Sequence, residues 1–83
     1  MNDADPVRGW AVEGLEVTTF ENVIRVSVLY ADFLGWCEEQ GLKREFLPNV
    51  KAFGKRLRGV DPKLKFTVSH VALCRNARLR SAR

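Results

Sequence analysis

Apolar and polar positions divide this 83-residue chain into segments of different period. The clearest lies between 28 and 40, where Leu29, Phe33, Trp36 and Cys37 fall at i, i+4, i+7 and i+8, the spacing of one buried helical face. Tyr30 and Leu34 widen that face. Ser27 stands where an N-cap is expected, and Gly41 where the helix stops. A second helical pattern runs from 48 to 58. Val50, Phe53 and Leu57 form its apolar stripe. Lys51, Lys55 and Arg58 form a cationic stripe roughly opposite, with Arg56 between the two. Pro48 suits the first helical position and Gly59 the end. Between 7 and 17, Val7, Trp10, Ala11 and Leu15 again give helical spacing. Gly9 and Gly14 interrupt it, each at a cost of about 1 kcal/mol relative to Ala.

Elsewhere the period is two or absent. Residues 18–22 read as a turn. Val23, Ile24, Arg25 and Val26 make a short β-branched strand. Residues 42–47 are a connector whose last member, Leu47, is held extended by Pro48. Asp61-Pro62 marks another turn. Beyond it Leu64, Phe66 and Val68 alternate with Lys65, Thr67 and Ser69, and a second run follows from Val71 to Arg80. This predicts a β-hairpin with its tip near Ser69-His70. In its second strand Leu73, Arg75, Ala77 and Leu79 share one phase, and Cys74, Asn76, Arg78 and Arg80 the other. No Asn-Gly or Asp-Gly pair fixes that turn, and a helix from Val71 onward is the rival reading. Residues 1–6 are polar and read as a loose tail, so 7–83 form a single domain.

Composition bounds the class. A content of 46% hydrophobic and 10% aromatic residues suits one small folded domain. No run approaches the roughly 18 apolar residues of a membrane span, and the first residues lack the pattern of a secretory signal. Cys37 and Cys74 are too few for a disulfide scaffold, so reduced thiols and a cytoplasmic location are expected. Charge sharpens the picture more. Residues 1–42 carry two basic against eight acidic side chains, a net −6. Residues 43–83 carry twelve against two, a net +10, and the halves sum to the overall +4. A concentrated positive half attracts phosphate backbones, with strong salt dependence.

The order of elements is then helix, short strand, helix, basic helix, basic hairpin. That is an α+β chain with the layout of a winged helix-turn-helix, in which the third helix enters the major groove and the hairpin lies beside it. Long cationic side chains on an exposed helix reach guanine edges or phosphates, and Asn49 has the groups to pair with adenine. Gly54 inside the third helix either lets a partner approach or makes room for helix packing. The aromatic set Tyr30, Phe33 and Trp36 has the spacing of core packing rather than of a base-stacking platform.

Three stretches carry a family resemblance. The run Val26-Ser-Val-Leu-Tyr-Ala-Asp-Phe-Leu-Gly-Trp-Cys-Glu-Glu-Gln-Gly41 resembles the LY-x-x-[YF]-x-x-W-C-x-x-x-G pattern of winged-helix domains at the C-terminus of phage and plasmid primase–helicases, of the satellite-phage alpha and poxvirus type. Lys51-Ala-Phe-Gly-Lys-Arg-Leu57 is similar to that family's F-G-x-x-L helix motif. Leu73-Cys-Arg-Asn-Ala-Arg-Leu79 resembles its closing strand, with Asn76 where Gly is frequent and Cys74 where an aromatic is common. The resemblance implies binding of double-stranded, origin-type DNA beside a helicase or primase in the same chain or complex. It implies Lys51, Lys55, Arg56 and Arg58 as the groove-facing set, and Lys63, Lys65 and His70 as contacts of the hairpin. It also implies Lys43 and Arg44 near phosphate, and Arg75 as a further contact, with Phe53 and Leu57 in the core.

Catalysis is not expected. His70 is the only histidine, and Cys37, His70 and Cys74 lack a fourth zinc ligand and paired short spacings. No residue is placed to orient a Cys37–His70 pair, and no Gly-rich phosphate loop is present. No cofactor is expected. The reading from another class is a protein-interaction module of the same fold, such as a small phage-encoded regulator or inhibitor. The two differ in whether Lys51, Lys55, Arg58 and the hairpin lysines share one continuous face.

Overall fold

A computed structural model describes residues 5–68 and 70–80 of the chain. The expected tail's first four residues, Ser69 at the expected hairpin tip, and residues 81–83 lie outside them. The described elements are α1 (Pro6–Gly14), β1 (Leu15–Val17), β2 (Ile24–Arg25), α2 (Val26–Glu39), a 3-10 turn (Arg44–Phe46), α3 (Val50–Arg58), β3 (Phe66–Val68), β4 (Ala72–Cys74) and β5 (Ala77–Leu79). The chain is therefore a small α+β protein with three helices and short antiparallel strands. The 3-10 turn in the connector had no signature in the pattern of apolar positions.

Each helix begins a little away from where the pattern placed it, for a local reason. Helix α1 starts inside the expected tail, because the Asp5 side chain accepts from the Val7 amide at 3.1 Å and Pro6 fills the first turn. It ends at Gly14 rather than at 17. Leu15, Glu16 and Val17 pair instead with Leu79, Arg78 and Ala77, a partnership no local period reveals. Helix α2 starts at Val26, so Ser27 lies within its first turn and is not its cap; Arg25 occupies that position without a side-chain bond. Strand β2 runs straight into this helix, and Val26 is already core. For α3 the cap is Asn49, whose side-chain oxygen accepts from the Ala52 amide at 2.8 Å. Pro48 stands one residue outside the helix, and its carbonyl accepts from the Tyr30 hydroxyl at 2.9 Å.

The end of α2 is a full C-terminal motif. The Leu42 amide donates to the Cys37 carbonyl at 3.0 Å and the Gly41 amide to the Glu38 carbonyl at 3.1 Å. Gly41 has φ +77°, a conformation that side chains with a Cβ rarely adopt.

The three helices meet in an aromatic cluster. Phe53 of α3 lies 5.0 Å from Phe33 and 5.3 Å from Tyr30 of α2, and 5.6 Å from Trp10 of α1, centroid to centroid. Trp10, Phe33, Phe53 and Leu57 are fully buried and Trp36 nearly so, with Tyr30 half-buried against them, so the aromatic residues of α2 pack into or against the core. The two indoles are satisfied reciprocally across α1 and α2. Trp10 Nε1 donates to Asp32 at 2.8 Å, and Trp36 Nε1 donates to Glu13 at 3.2 Å. A Cβ on Gly9 would stand 3.1 Å from the Trp36 ring, so α1 and α2 pack closely here. Cys37 and Cys74 are free, buried thiols. Burial pushes both above the ordinary thiol range, and the backbone amides of Asn76 and Arg75 partly counteract this at Cys74.

Strands β2, β4 and β3 form one antiparallel sheet in that order, and β1 with β5 a second. The register of β3 on β4 pairs Phe66 with Cys74 and Val68 with Ala72, so the hairpin turns between 68 and 72, and the described residues after Val71 form no helix. The expected two-phase second strand does not run through. Cys74 and Ala77 are three residues apart and both fully buried, which a period of two forbids. The phase breaks at Arg75-Asn76, where the chain leaves β3 and crosses to β1. Asn76 holds this break. Its carboxamide oxygen accepts from the Lys65 amide at 2.8 Å, and its amide group donates to the Lys63 carbonyl at 2.7 Å. Asn76→Ala removes both bonds and is expected to cost about 1–3 kcal/mol. For a domain of this size each kcal/mol lowers the melting temperature by roughly 4–8 °C. A melt unchanged by the substitution would show that Asn76 does not hold the crossover.

Candidate functional site

Helix α3 divides its residues among three directions. Phe53 and Leu57 enter the core. Val50 does not join them. At 46% exposure it sits at the first turn, past the edge of the aromatic cluster, and faces outward. Lys51, Lys55 and Arg58 are exposed with it along one side. Arg56 departs from that set and points toward α1, where its guanidinium lies 3.8 Å from Asp5.

The side that carries Lys51, Lys55 and Arg58 borders a groove of about 750 Å³ between α3, the start of α2 and the β3–β4 hairpin. The alternation of β3 aims Phe66 and Val68 at it, and Ala72 follows by cross-strand pairing. Near Cys74 this sheet face closes on the helices. Toward the hairpin tip it opens, and Val68 (65% exposed) and Val71 (44%) are left uncovered. The Arg58 guanidinium lies over the Phe66 ring at 5.4 Å, which fixes one cation at the groove's edge.

The remaining expected contacts fall elsewhere. Lys65 has the phase opposite to Phe66 and lines a separate depression with Thr18, Thr19, Phe20, Glu21, Arg75 and Asn76. Arg75 is half-buried there and forms an ion pair with Glu21. Lys63 is exposed in the turn before β3, and His70 is exposed at the hairpin tip. Lys43 and Arg44 are exposed on the connector, where Arg44 lines a third depression beside Glu38 and Leu42. Asn49 is exposed, but its oxygen is engaged in capping α3. The expected cations thus do not form one continuous face. Three of α3 stand together beside the hairpin, while Arg56, Lys65 and Arg75 lie apart from them.

The ion pairs give part of the charge asymmetry an internal use. Arg56 with Asp5, Arg75 with Glu21, and Arg78 with Glu16 at 3.1 Å each join an arginine of the basic half to an acid of the other half. Each pair is exposed and contributes little to stability alone. The cations that line the groove have no carboxylate among the other lining residues.

Gly54 lies on the groove side of α3. A Cβ there would make ordinary contact with Val26 Cγ1 at 3.8 Å, so helix packing does not require a glycine. Gly54→Ala is expected to stabilise the protein by about 0.5–1 kcal/mol through helix propensity, read as a raised melting temperature. A lowered melting temperature would mean that the helices pack closer than this.

The groove's apolar half went unread in the sequence. Val68 and Val71 flank the hairpin tip, where turn chemistry favours polar residues, and that mismatch was the available signal. Among the described residues no group of three or more His, Cys, Asp or Glu could hold a metal ion. No helix among them is long and apolar enough to cross a membrane. No protein-family model matches the chain, and no curated protein matches it.

Proposed function

We propose that the chain is a winged helix-turn-helix module that binds duplex DNA, with α3 as the reading helix and the β3–β4 hairpin as the wing. The observation that carries this reading is the row of Lys51, Lys55 and Arg58 on the exposed side of α3, adjacent to the hairpin and, among the described residues, lined by no carboxylate. A phosphate backbone following that row gains charge-assisted bonds and releases counterions. His70 at the tip and Lys63 before β3 are exposed, and the family resemblance adds both as contacts of the hairpin. The resemblance to primase–helicase winged-helix domains supports the same assignment and makes an origin-type site of a phage or mobile element the natural target, with a helicase or primase as companion. Lys65, Arg56 and Arg75 have no part in this reading of the interface.

The test is a fluorescence-anisotropy titration of a 20-base-pair duplex at 50 and 200 mM salt, with the single strand as control. Three to five phosphate contacts predict affinity for the duplex falling by roughly 40- to 500-fold between the two salts. Equal binding of the single strand, or a salt-independent affinity, would overturn it.

A second reading, a protein-interaction module, is favoured by two observations. The hairpin's Lys65 does not share a face with Lys51, Lys55 and Arg58. The floor beneath those cations is apolar, whereas nucleic-acid interfaces are strongly polar.

A further inference from the structure

We propose that the groove between α3 and the β3–β4 hairpin is a docking site for a partner-protein peptide that carries apolar side chains flanked by carboxylates. The inference deepens the protein-interaction reading and rests on it. It does not rest on the DNA reading, although it shares three cations with it.

The floor decides for apolar side chains. Val26, Val50, Phe66, Val68, Val71 and Ala72 line it, and among the described residues the one neutral polar side chain in the lining is that of Ser27. Val50, Val68 and Val71 are 46%, 65% and 44% exposed, so the groove leaves aliphatic surface in water on both its α3 side and its hairpin side. Covering such surface is favourable because it removes apolar area from water. A sugar–phosphate backbone has nothing to cover it with. Leucine or phenylalanine side chains do, and a volume of about 750 Å³ holds several of them.

The rim decides for carboxylates. Lys51, Lys55 and Arg58 lie one helical turn apart along α3, and among the described residues no acidic side chain lines the groove. The other basic residues with assigned ion pairs take their acids from this chain: Arg56 from Asp5, Arg75 from Glu21 and Arg78 from Glu16. The rim cations are therefore positioned to take acids from a partner. Apolar anchors in a groove with charges fixing register is how amphipathic segments are recognised. Gly54 keeps the wall of the groove low at mid-helix, since a Cβ there would meet nothing nearer than Val26 Cγ1 at 3.8 Å. Because the same lysines serve both partners, peptide and DNA compete.

The experiment is selection from a random dodecapeptide display library on the intact chain, followed by affinity measurement of the enriched peptides as synthetic fluorescent probes. Val68→Ser with Val71→Ser is the comparison protein. Both positions are exposed, and its fold is checked by circular dichroism. The expected result is enrichment of peptides that combine Asp or Glu with Leu, Ile or Phe. Their affinity falls at least tenfold for the double variant, and at least tenfold when their acids are changed to lysine. Duplex DNA binds parent and variant alike. No enrichment, enrichment of peptides without acids, or equal affinity for the variant would each overturn the proposal. So would displacement of every enriched peptide by sodium dodecanoate at micromolar concentration, which would assign the groove to a small amphiphile. The DNA titration on the same proteins reports separately, so either reading can fail alone.

Discussion

Replacing Phe53 with alanine is expected to destabilise the protein by about 3–5 kcal/mol, enough to leave a domain of this size near or below its folding threshold. Phe53 is fully buried and is where all three helices meet. Its ring contacts Phe33, Tyr30 and Trp10 at 5.0, 5.3 and 5.6 Å, so truncation forfeits three aromatic contacts as well as the buried area. The cavity cannot close easily. Trp10 is tied to Asp32 through its indole nitrogen, and Tyr30 to the Pro48 carbonyl through its hydroxyl. Helix α3 itself spans only nine residues, too short to persist without this anchor. Urea denaturation of the variant checks the value. A midpoint equal to the parent's would mean that α3 docks by another face. Val50→Ala, at a half-exposed position on the same helix, is expected to cost well under half as much.

Changing Lys51 and Lys55 together to alanine is expected to weaken duplex binding by nearly two orders of magnitude at 0.1 M salt while leaving the melting temperature almost unchanged. Each phosphate contact contributes roughly 0.9 to the slope of log affinity against log salt. Losing two therefore reduces the slope by about 1.8, and at 0.1 M this is about 60-fold. Both side chains are exposed, and no assigned ion pair depends on either, so the fold has little to lose. Arg56→Ala serves as the contrast. It sits on the same helix and carries the same charge, but it faces Asp5 and should leave the slope nearly unaltered. Equal affinity of the Lys51, Lys55 double variant and the parent in a low-salt gel shift would remove α3 from the interface.

The groove proposal makes the two lysines a shared resource. The serine variants of Val68 and Val71 lose the peptide and keep the DNA, and the alanine variants of Lys51 and Lys55 lose both. That pattern separates a charge-only surface from one that also reads apolar side chains.

How much of the interface was legible can be followed through single residues. Spacing places Val50, Phe53 and Leu57 on one face, because a helix fixes which residues share a face, and the structure buries Phe53 and Leu57 but leaves Val50 46% exposed. Lys51, Lys55 and Arg58 were grouped on the same ground. The family resemblance adds Arg56 to that set, yet the rotation per residue turns it toward Asp5, a partner from the chain's beginning that the helix itself does not reveal. The family resemblance implies Lys65 and Arg75 as contacts. The alternation of β3 sends Lys65 to the opposite face from Phe66, and Glu21, distant in sequence, takes Arg75. Asn49 had the chemistry to read a base, and the same chemistry made it a helix cap.

The sequence by itself determined three helices, a C-terminal hairpin turning near position 70, and the aromatic core, because each follows from a repeat within a few residues. Only the tertiary structure decided that Leu15–Val17 is a strand, that the last strand breaks at Arg75-Asn76, and that three arginines of the basic half are taken by acids of the other half. It alone showed that the row of cations on α3 borders an apolar groove. Those features depend on pairings across as many as 64 positions, as between Leu15 and Leu79, and no local period encodes a partner that far along the chain.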